Sequence, residues 1–563
     1  MNKNTLPYIF LIPIFILNAL VISAQETTTS ISIDLSKKEG VLTPLWSYFG
    51  YDEANFSTMK DGKKLLHELG ALSNNPVYVR VHNLLTTGDG KAALKWSSTN
   101  TYTEDANGNP IYNWTIVDSI FDEFIKNGIK PIAEIGFMPE ALSTKPIPYQ
   151  HHWKPGVSYD SIYTGWAYPP TNYHKWHELI YQWVKHCVAK YGVNEVSTWY
   201  WEVWNEPNIS YWKGTMQEYF TLYDYTADAV KAACPQARIG GPTSTGPRWN
   251  KAADFLKAFL QHCIDGKNAA TGQTGAPLDY ITFHAKGDPK VVDGHIQMNM
   301  AVQLQDAEKG FEVVNSIPTL KALPVIIGEF DPEGCAACSV QFNPQNAYRN
   351  GTMYSSYTAA SFARLYALAN KYNINLQGAV SWSFEFENQP WFAGFRDLAT
   401  NGVDKPVLNV FRMFGMMKGE KLNISNPNML PLQTIVDSSV RGSNADVNAL
   451  ATADAHDVYV MVWNYHDDED KKQEAAVNLS LQYIPAKTAH ISEYLVDETN
   501  SNSYTEWKNM GSPQQVTSSQ FTTLEKAGKL KMVAKPDVGI ANGALQYAVH
   551  LQAQAVMLLK VSW

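Results

Sequence analysis

Cysteine is scarce: 563 residues hold five, at positions 187, 234, 263, 335 and 338. That excludes a disulfide-built scaffold, which needs many pairs in a short chain. Cys335 and Cys338 have the spacing of a redox motif or half a zinc site. With no second pair and no thioredoxin-like context, they read as a local disulfide or two free thiols. Charge is also low, at 18% Asp, Glu, Lys and Arg, with a net of −9 and no Lys/Arg-rich stretch. Nucleic acid is therefore not an expected partner. After Ile22 no apolar run reaches the roughly 20 residues that span a bilayer. His174 and His177 could share a helix face but have no third ligand nearby, so no metal is expected there.

The amino terminus carries one apolar run. Lys3 precedes Leu6 to Ile22, interrupted by Pro7 and Pro13, and Ser23-Ala24-Gln25 follows. This pattern reads as a signal peptide over residues 1–24, cut near Ala24. An exported protein, periplasmic or secreted and without a membrane anchor after cleavage, is expected. An uncleaved anchor is the alternative, and the two prolines weigh against it.

Residues 45–418 repeat one alternation. Short apolar runs bounded by Gly, Pro or polar residues occur at Trp46–Tyr51, Val77–His82, Pro131–Phe137, Thr198–Asn205, Arg238–Gly241, Tyr280–His284, Pro324–Phe330 and Ala379–Phe384. They have the look of strands buried on both faces. Helical patterns follow each one. Between two of them, Ile116, Val117, Ile120, Phe121, Phe124 and Ile125 recur every three or four residues, and Gly128 ends that helix. Eight such units predict an α/β fold, a (β/α)8 TIM barrel. An open doubly wound sheet would show a Gly-rich first turn, which is absent. Residues 419–563 lose the helical period and predict a β-sandwich, with Val458–Trp463, Ala476–Ile484 and Tyr547–Val561 as strands. Residues 25–44, through Ile31–Leu35, can lend that sandwich a further strand. A long loop from Met138 to Asn172, rich in Tyr, Trp and His, reads as a binding-site wall.

In barrels, reactive groups sit where strands end. Those positions hold Arg80 and His82, Asn205 and Glu206, His284 and Lys286, Glu329, and Glu385 and Glu387, with Trp382 in the eighth strand. Glu206 and Glu329 are 123 residues apart in sequence. The ends of strands four and seven nevertheless face each other across a closed barrel. Two carboxyls so placed are the apparatus of glycoside hydrolysis, in which one protonates the leaving oxygen and the other attacks carbon or activates water. The 69 aromatic residues, 17 of them Trp, suit a protein that stacks on sugar rings.

Val203-Trp204-Asn205-Glu206-Pro207-Asn208 and Val325-Ile326-Ile327-Gly328-Glu329-Phe330, set in eight βα units ahead of a sandwich, resemble glycoside hydrolase family 39. Arg80-Val81-His82, Phe283-His284 and Lys405-Pro406-Val407 add to the likeness, which spans Leu45 to Trp563. The resemblance implies a retaining, exo-acting hydrolase of β-xylosidase or α-L-iduronidase type that cleaves oligosaccharides without a cofactor. It implies that Glu206 is the acid/base, Glu329 the nucleophile, and Asn205 a donor to a sugar hydroxyl. His82 and His284 would contact substrate or the carboxylates, and Arg80, Lys286, Trp382 and Glu387 complete the expected substrate-binding set.

Lys286 departs from the xylosidase pattern, which has an aromatic there. The stretches 262–268, 279–287 and 492–498 are more similar to iduronidases. A pocket lysine can pair with a substrate carboxylate or brace a pocket acid such as Glu387. The sugar stays open on sequence grounds, with the xylosidase-like reading preferred. A noncatalytic sugar-binding protein and a metal-dependent barrel hydrolase are the other classes weighed.

Overall fold

The computed structural model describes residues 28–382 and 384–563, so the leader read from the sequence lies outside the described residues. Seven of the apolar runs form parallel strands in chain order: Tyr48–Tyr51, Val77–Val81, Ile129–Ile135, Tyr200–Val203, Arg238–Ser244, Tyr280–Lys286 and Val325–Asp331. The eighth is broken. Its first part, Leu376–Ala379, pairs with the seventh strand, and its continuation Ser381–Trp382 pairs with the first, which closes the barrel. Strands buried by side chains inside and helices outside have no solvent face, so their sequences do not alternate.

Eight helices cover the barrel: Lys60–Gly70, Thr115–Lys126, Tyr173–Tyr191, Met216–Ala233, Asn250–Asp265, Met300–Asn315, Thr352–Tyr372 and Pro406–Met416. The second ends because Gly128 turns left-handed, with φ +71°, before the third strand begins. Among the described residues no helix is long and apolar enough to cross a membrane.

The second body is a mixed sheet folded over its own core. Strand Thr28–Val41 pairs in parallel with Ala475–Gln482 and antiparallel with Glu420–Ser425, and register breaks between Asp34 and Val41 mark where the sheet bends. Ile31, Ile33, Val477 and Leu479 from one leaf share a core with Val458, Val460, Leu559 and Val561 from the other. Strand Asp457–Tyr465 is buried on both faces. Val458, Val460 and Val462 face the sandwich core, while Tyr459, Met461, Trp463 and Tyr465 pack with the barrel. Strand Val556–Ser562 does the same, with Leu558 in the barrel-side cluster and Leu559 in the sandwich core, so the two bodies are joined through the opposite faces of this leaf.

Two features of this region differ from the sequence reading. Tyr547–Val561 is not one strand but two, Ala544–Leu551 and Val556–Ser562, which lie on different leaves. The region also contains helices Leu432–Ser438, Ser503–Asn509 and Ser518–Gly528. Two are seven residues long, too short to show a helical period, and Ser518–Gly528 buries only Leu524 and Gly528, so it has no apolar stripe to read. Caps start two of them, Asn502 accepting from Thr505 N and Thr517 forming a capping box with Gln520.

Candidate active site

The fourth strand delivers Asn205 and Glu206 through a strained turn. Trp204 and Glu206 both adopt positive φ, +68° and +46°, a conformation that costs non-glycine residues about 1–3 kcal/mol each. Hydrogen bonds hold it: Glu206 N donates to Thr243 O at 3.0 Å, Thr243 Oγ1 to Trp204 O at 3.0 Å, and Trp204 Nε1 to Tyr211 O at 3.0 Å. The seventh strand carries Glu329. Both carboxylates are buried, and together with His284 they offer oxygen and nitrogen atoms all within 4.8 Å of one another.

Lys286 lies between them. Its Nζ is 2.5 Å from Glu329 Oε2 and 3.3 Å from Glu206 Oε1. His284 Nδ1 is 2.9 Å from Glu206 Oε1 and 3.8 Å from Glu329 Oε1. Burial pushes the Glu206 carboxyl up, but the Lys286 ammonium and the His284 hydrogen bond outweigh it and hold the group below its ordinary value. Glu329 is likewise opposed by burial, yet His284, Lys286 and Arg80 hold it well below the usual carboxylate range. Lys286 is raised, since the two acids overcome its desolvation. His284 is lowered, chiefly by burial. Both carboxylates are therefore held as anions that share the Lys286 ammonium, with Arg80 adding a second positive charge beside Glu329.

Arg80 underlies this layer without reaching the pocket. A two-residue strand period places it below His82. Its guanidinium meets Glu202, lies 2.8 Å from Glu134 Oε2, and donates to Glu329 Oε1 at 3.3 Å and Asn205 Oδ1 at 3.0 Å. It was expected among the substrate contacts, and it is instead a fully buried positioning group. Glu387 also departs from expectation. Its Oε2 accepts the Asp61 N–H at 2.9 Å at the start of the first barrel helix, because the chain after the eighth strand turns toward that helix.

The cavity above the carboxylates measures about 390 Å3 and is lined by Asn205, Glu206, Lys286, Glu329, His82 and Trp382. His284 is fully buried behind Glu206. Trp382 is clamped at both ends, its N–H donating to Asp331 Oδ1 at 2.8 Å and its carbonyl accepting from Arg396 Nε at 2.7 Å. From the long aromatic loop, Tyr159 and Tyr163 reach the wall. Sequence reasoning missed Asp52, Lys95, Tyr211, Thr245 and Cys335 as lining residues, along with Glu134 and Glu202 beneath the floor. The signal for the last two was a lone Glu within each apolar strand. Cys335 and Cys338 form a disulfide at the rim, and the other three cysteines are free and buried.

Two groups of described residues are close enough to hold a cation: Glu206 with His284 and Glu329, and His295 with Asp468 and Asp470. In the first, the Lys286 ammonium already supplies the positive charge. His177, by contrast, pairs with Asp228 at 2.9 Å on the neighbouring barrel helix Met216–Ala233.

A barrel with two facing carboxylates at the ends of its fourth and seventh strands defines a glycoside hydrolase by architecture. The chain belongs to Glycosyl hydrolases family 39, matching that family over residues 29–544, and it is a glycoside hydrolase. It is 26% identical to a β-xylosidase from Caldicellulosiruptor saccharolyticus over 91% of this chain and 94% of that one. It is 25% identical to the α-L-iduronidase of Homo sapiens over 69% of this chain and 60% of that one. Its fold is similar to that of a monomeric β-xylosidase from Caulobacter crescentus CB15, with a TM-score of 0.73, 22% identity, and coverage of 95% of this chain and 99% of the other.

Proposed function

We infer that this hydrolase removes a neutral pentose, xylose or a close relative, from the nonreducing end of an oligosaccharide with retention of configuration. Glu329 attacks the anomeric carbon while Glu206 protonates the departing oxygen. A glycosyl ester on Glu329 then yields to water that Glu206 activates as base. The observation that carries the reading is the close approach of the two carboxylates, within 4.8 Å at the nearest oxygens, which fits direct attack and leaves no room for an interposed water. Glu329, held well below the ordinary range, is ionised as a nucleophile must be. Glu206 needs a proton, so the incoming sugar must part it from Lys286 and let burial raise it.

Lys286 also bears on the sugar. A lysine reserved for a substrate carboxylate would wait unpaired, and this one is already neutralised by the two acids, which supports a neutral substrate. A uronide is the second reading, favoured by the position of that ammonium in the cavity wall. Nitrophenyl glycosides decide between them. The β-xyloside should be turned over with the β-anomer of xylose appearing first by NMR, and a uronide hydrolysed faster than every pentoside would replace the reading.

A further inference from the structure

On the wall supplied by strands one and two, across the mouth from Glu206 and Lys286, the cavity holds a second ion pair that the reaction does not use. Asp52 follows the first strand, Lys95 lies in the loop after the second, and the Lys95 ammonium contacts the Asp52 carboxylate directly. Their side chains are 6% and 8% exposed, yet both line the same cavity as the catalytic carboxylates. A dehydrated ion pair gains little net stability, because desolvation offsets its attraction. On a cavity wall it has another use: burial lowers the Lys95 amine to about 7, and at or below that pH the pair offers a ligand a strong acceptor and a strong donor side by side.

The pair is built to stay in place. Lys95 adopts φ +57°, uncommon for a side-chain-bearing residue, and its N–H donates to Glu53 Oε1 at 2.8 Å. Asn55 ties the two segments together: its Oδ1 accepts from Ser98 N at 2.9 Å and its Nδ2 donates to Ser98 O at 3.0 Å. The second oxygen of Asp52 is 2.9 Å from His82 Nδ1, and the Lys95 ammonium lies 5.5 Å from the centre of the Tyr159 ring. Preorganised polar groups of this kind discriminate among ligands because no reordering cost offsets the bonds they make.

We propose that Asp52 and Lys95 are the specificity pair for the terminal sugar, binding the adjacent hydroxyls at C3 and C4 while C1 lies at Glu329. The carboxylate accepts from one hydroxyl and the ammonium donates to the oxygen of its neighbour. This deepens the pentoside reading and rests on it for the orientation of the ring. A sugar with a free vicinal diol at that end is the class selected, and a chain extended at O3 or O4 is excluded.

The test is binding of xylose, 3-deoxyxylose and 4-deoxyxylose, titrated by NMR against the wild type, Lys95→Met and Asp52→Asn. The wild type should bind xylose about tenfold to a hundredfold tighter than either deoxy sugar, the range for a hydrogen bond to a charged group. Both variants should bind xylose about as weakly as the wild type binds the deoxy sugars, and lose the discrimination between them. A merely structural role would weaken all three sugars together and leave their ratios unchanged, which would overturn the proposal. So would a wild type that does not prefer xylose, a result needing no variant to fold. Hydrolysis of the glycoside panel, run in parallel, keeps the two readings separate. Xylose discrimination without hydrolysis of any pentoside removes the pentoside-hydrolase reading alone, and retaining hydrolysis without a deoxy penalty removes the pair alone.

Discussion

At the mouth of the barrel, Arg80, Glu134, Glu202 and Glu329 lie buried against one another, with Lys286 and two histidines in the next layer. In the sandwich, strand Ala475–Gln482 buries Ala475, Val477, Leu479 and Leu481 and turns Asn478 and Gln482 outward. The sandwich gains stability from apolar area at about 25 cal/mol per Å2. The mouth opposes folding, because every charge there must be paired to offset its desolvation. Substitutions at the mouth should therefore change rate, and stability as well where a buried charge loses its partner, while substitutions in the sandwich should change stability alone.

Apart from loss of the nucleophile, Glu206→Ala should have the largest effect. Loss of a general acid costs about 10^2–10^4-fold in kcat/KM for substrates with poor leaving groups. An activated dinitrophenyl leaving group should escape most of that loss, and equal losses on both substrates would place the acid elsewhere. Arg80→Met comes next, since it leaves Glu134, Glu202 and Glu329 without their shared cation. Unpairing a buried charge costs about 3–5 kcal/mol, read by calorimetry, and activity should fall with it. Leu479→Ala is the contrast. Calorimetry should show a loss of about 2–5 kcal/mol from the cavity left in the sandwich, with kcat/KM in the remaining folded enzyme unchanged. A matching fall in both quantities would dissolve the division between the regions.

The smallest change is a displaced pH profile. Burial raises the Glu206 carboxyl while Lys286 lowers it, so Lys286→Met removes the lowering influence. The basic limb of kcat/KM, which reports the acid of the free enzyme, should then move to higher pH. A limb that stays in place or moves to lower pH would show that Lys286 does not control Glu206.

The same contrast explains what could be read from residues alone. Barrel strands such as Val325–Asp331 are buried along their whole length and open on apolar runs because neither face meets water, and the repeat of eight is visible in them. Glu206 and Glu329 could be placed because strand ends and a distinctive surrounding sequence coincide. Arg80 was legible as a strand-end residue but not as a buried one, because only the layering of the barrel interior separates it from His82. Asp52 and Lys95 left no periodic trace. Lys95 reaches the cavity through a left-handed turn and an asparagine tie that local sequence does not announce. Glu387 misled for a similar reason, as the course of the chain beyond the eighth strand turns it onto Asp61. In the sandwich, the helices Ser503–Asn509 and Ser518–Gly528 were marked only by their capping residues.

The most direct test of the account is Glu329→Ala supplied with azide and an activated aryl β-xyloside. Without azide, turnover should all but vanish. With azide, which fits the space left by the carboxylate and attacks from the same face, rate should return and the product should be the inverted α-xylosyl azide. A variant as fast as the wild type, or a rescued product of retained configuration, would contradict the assignment of Glu329 as nucleophile and with it the double-displacement account.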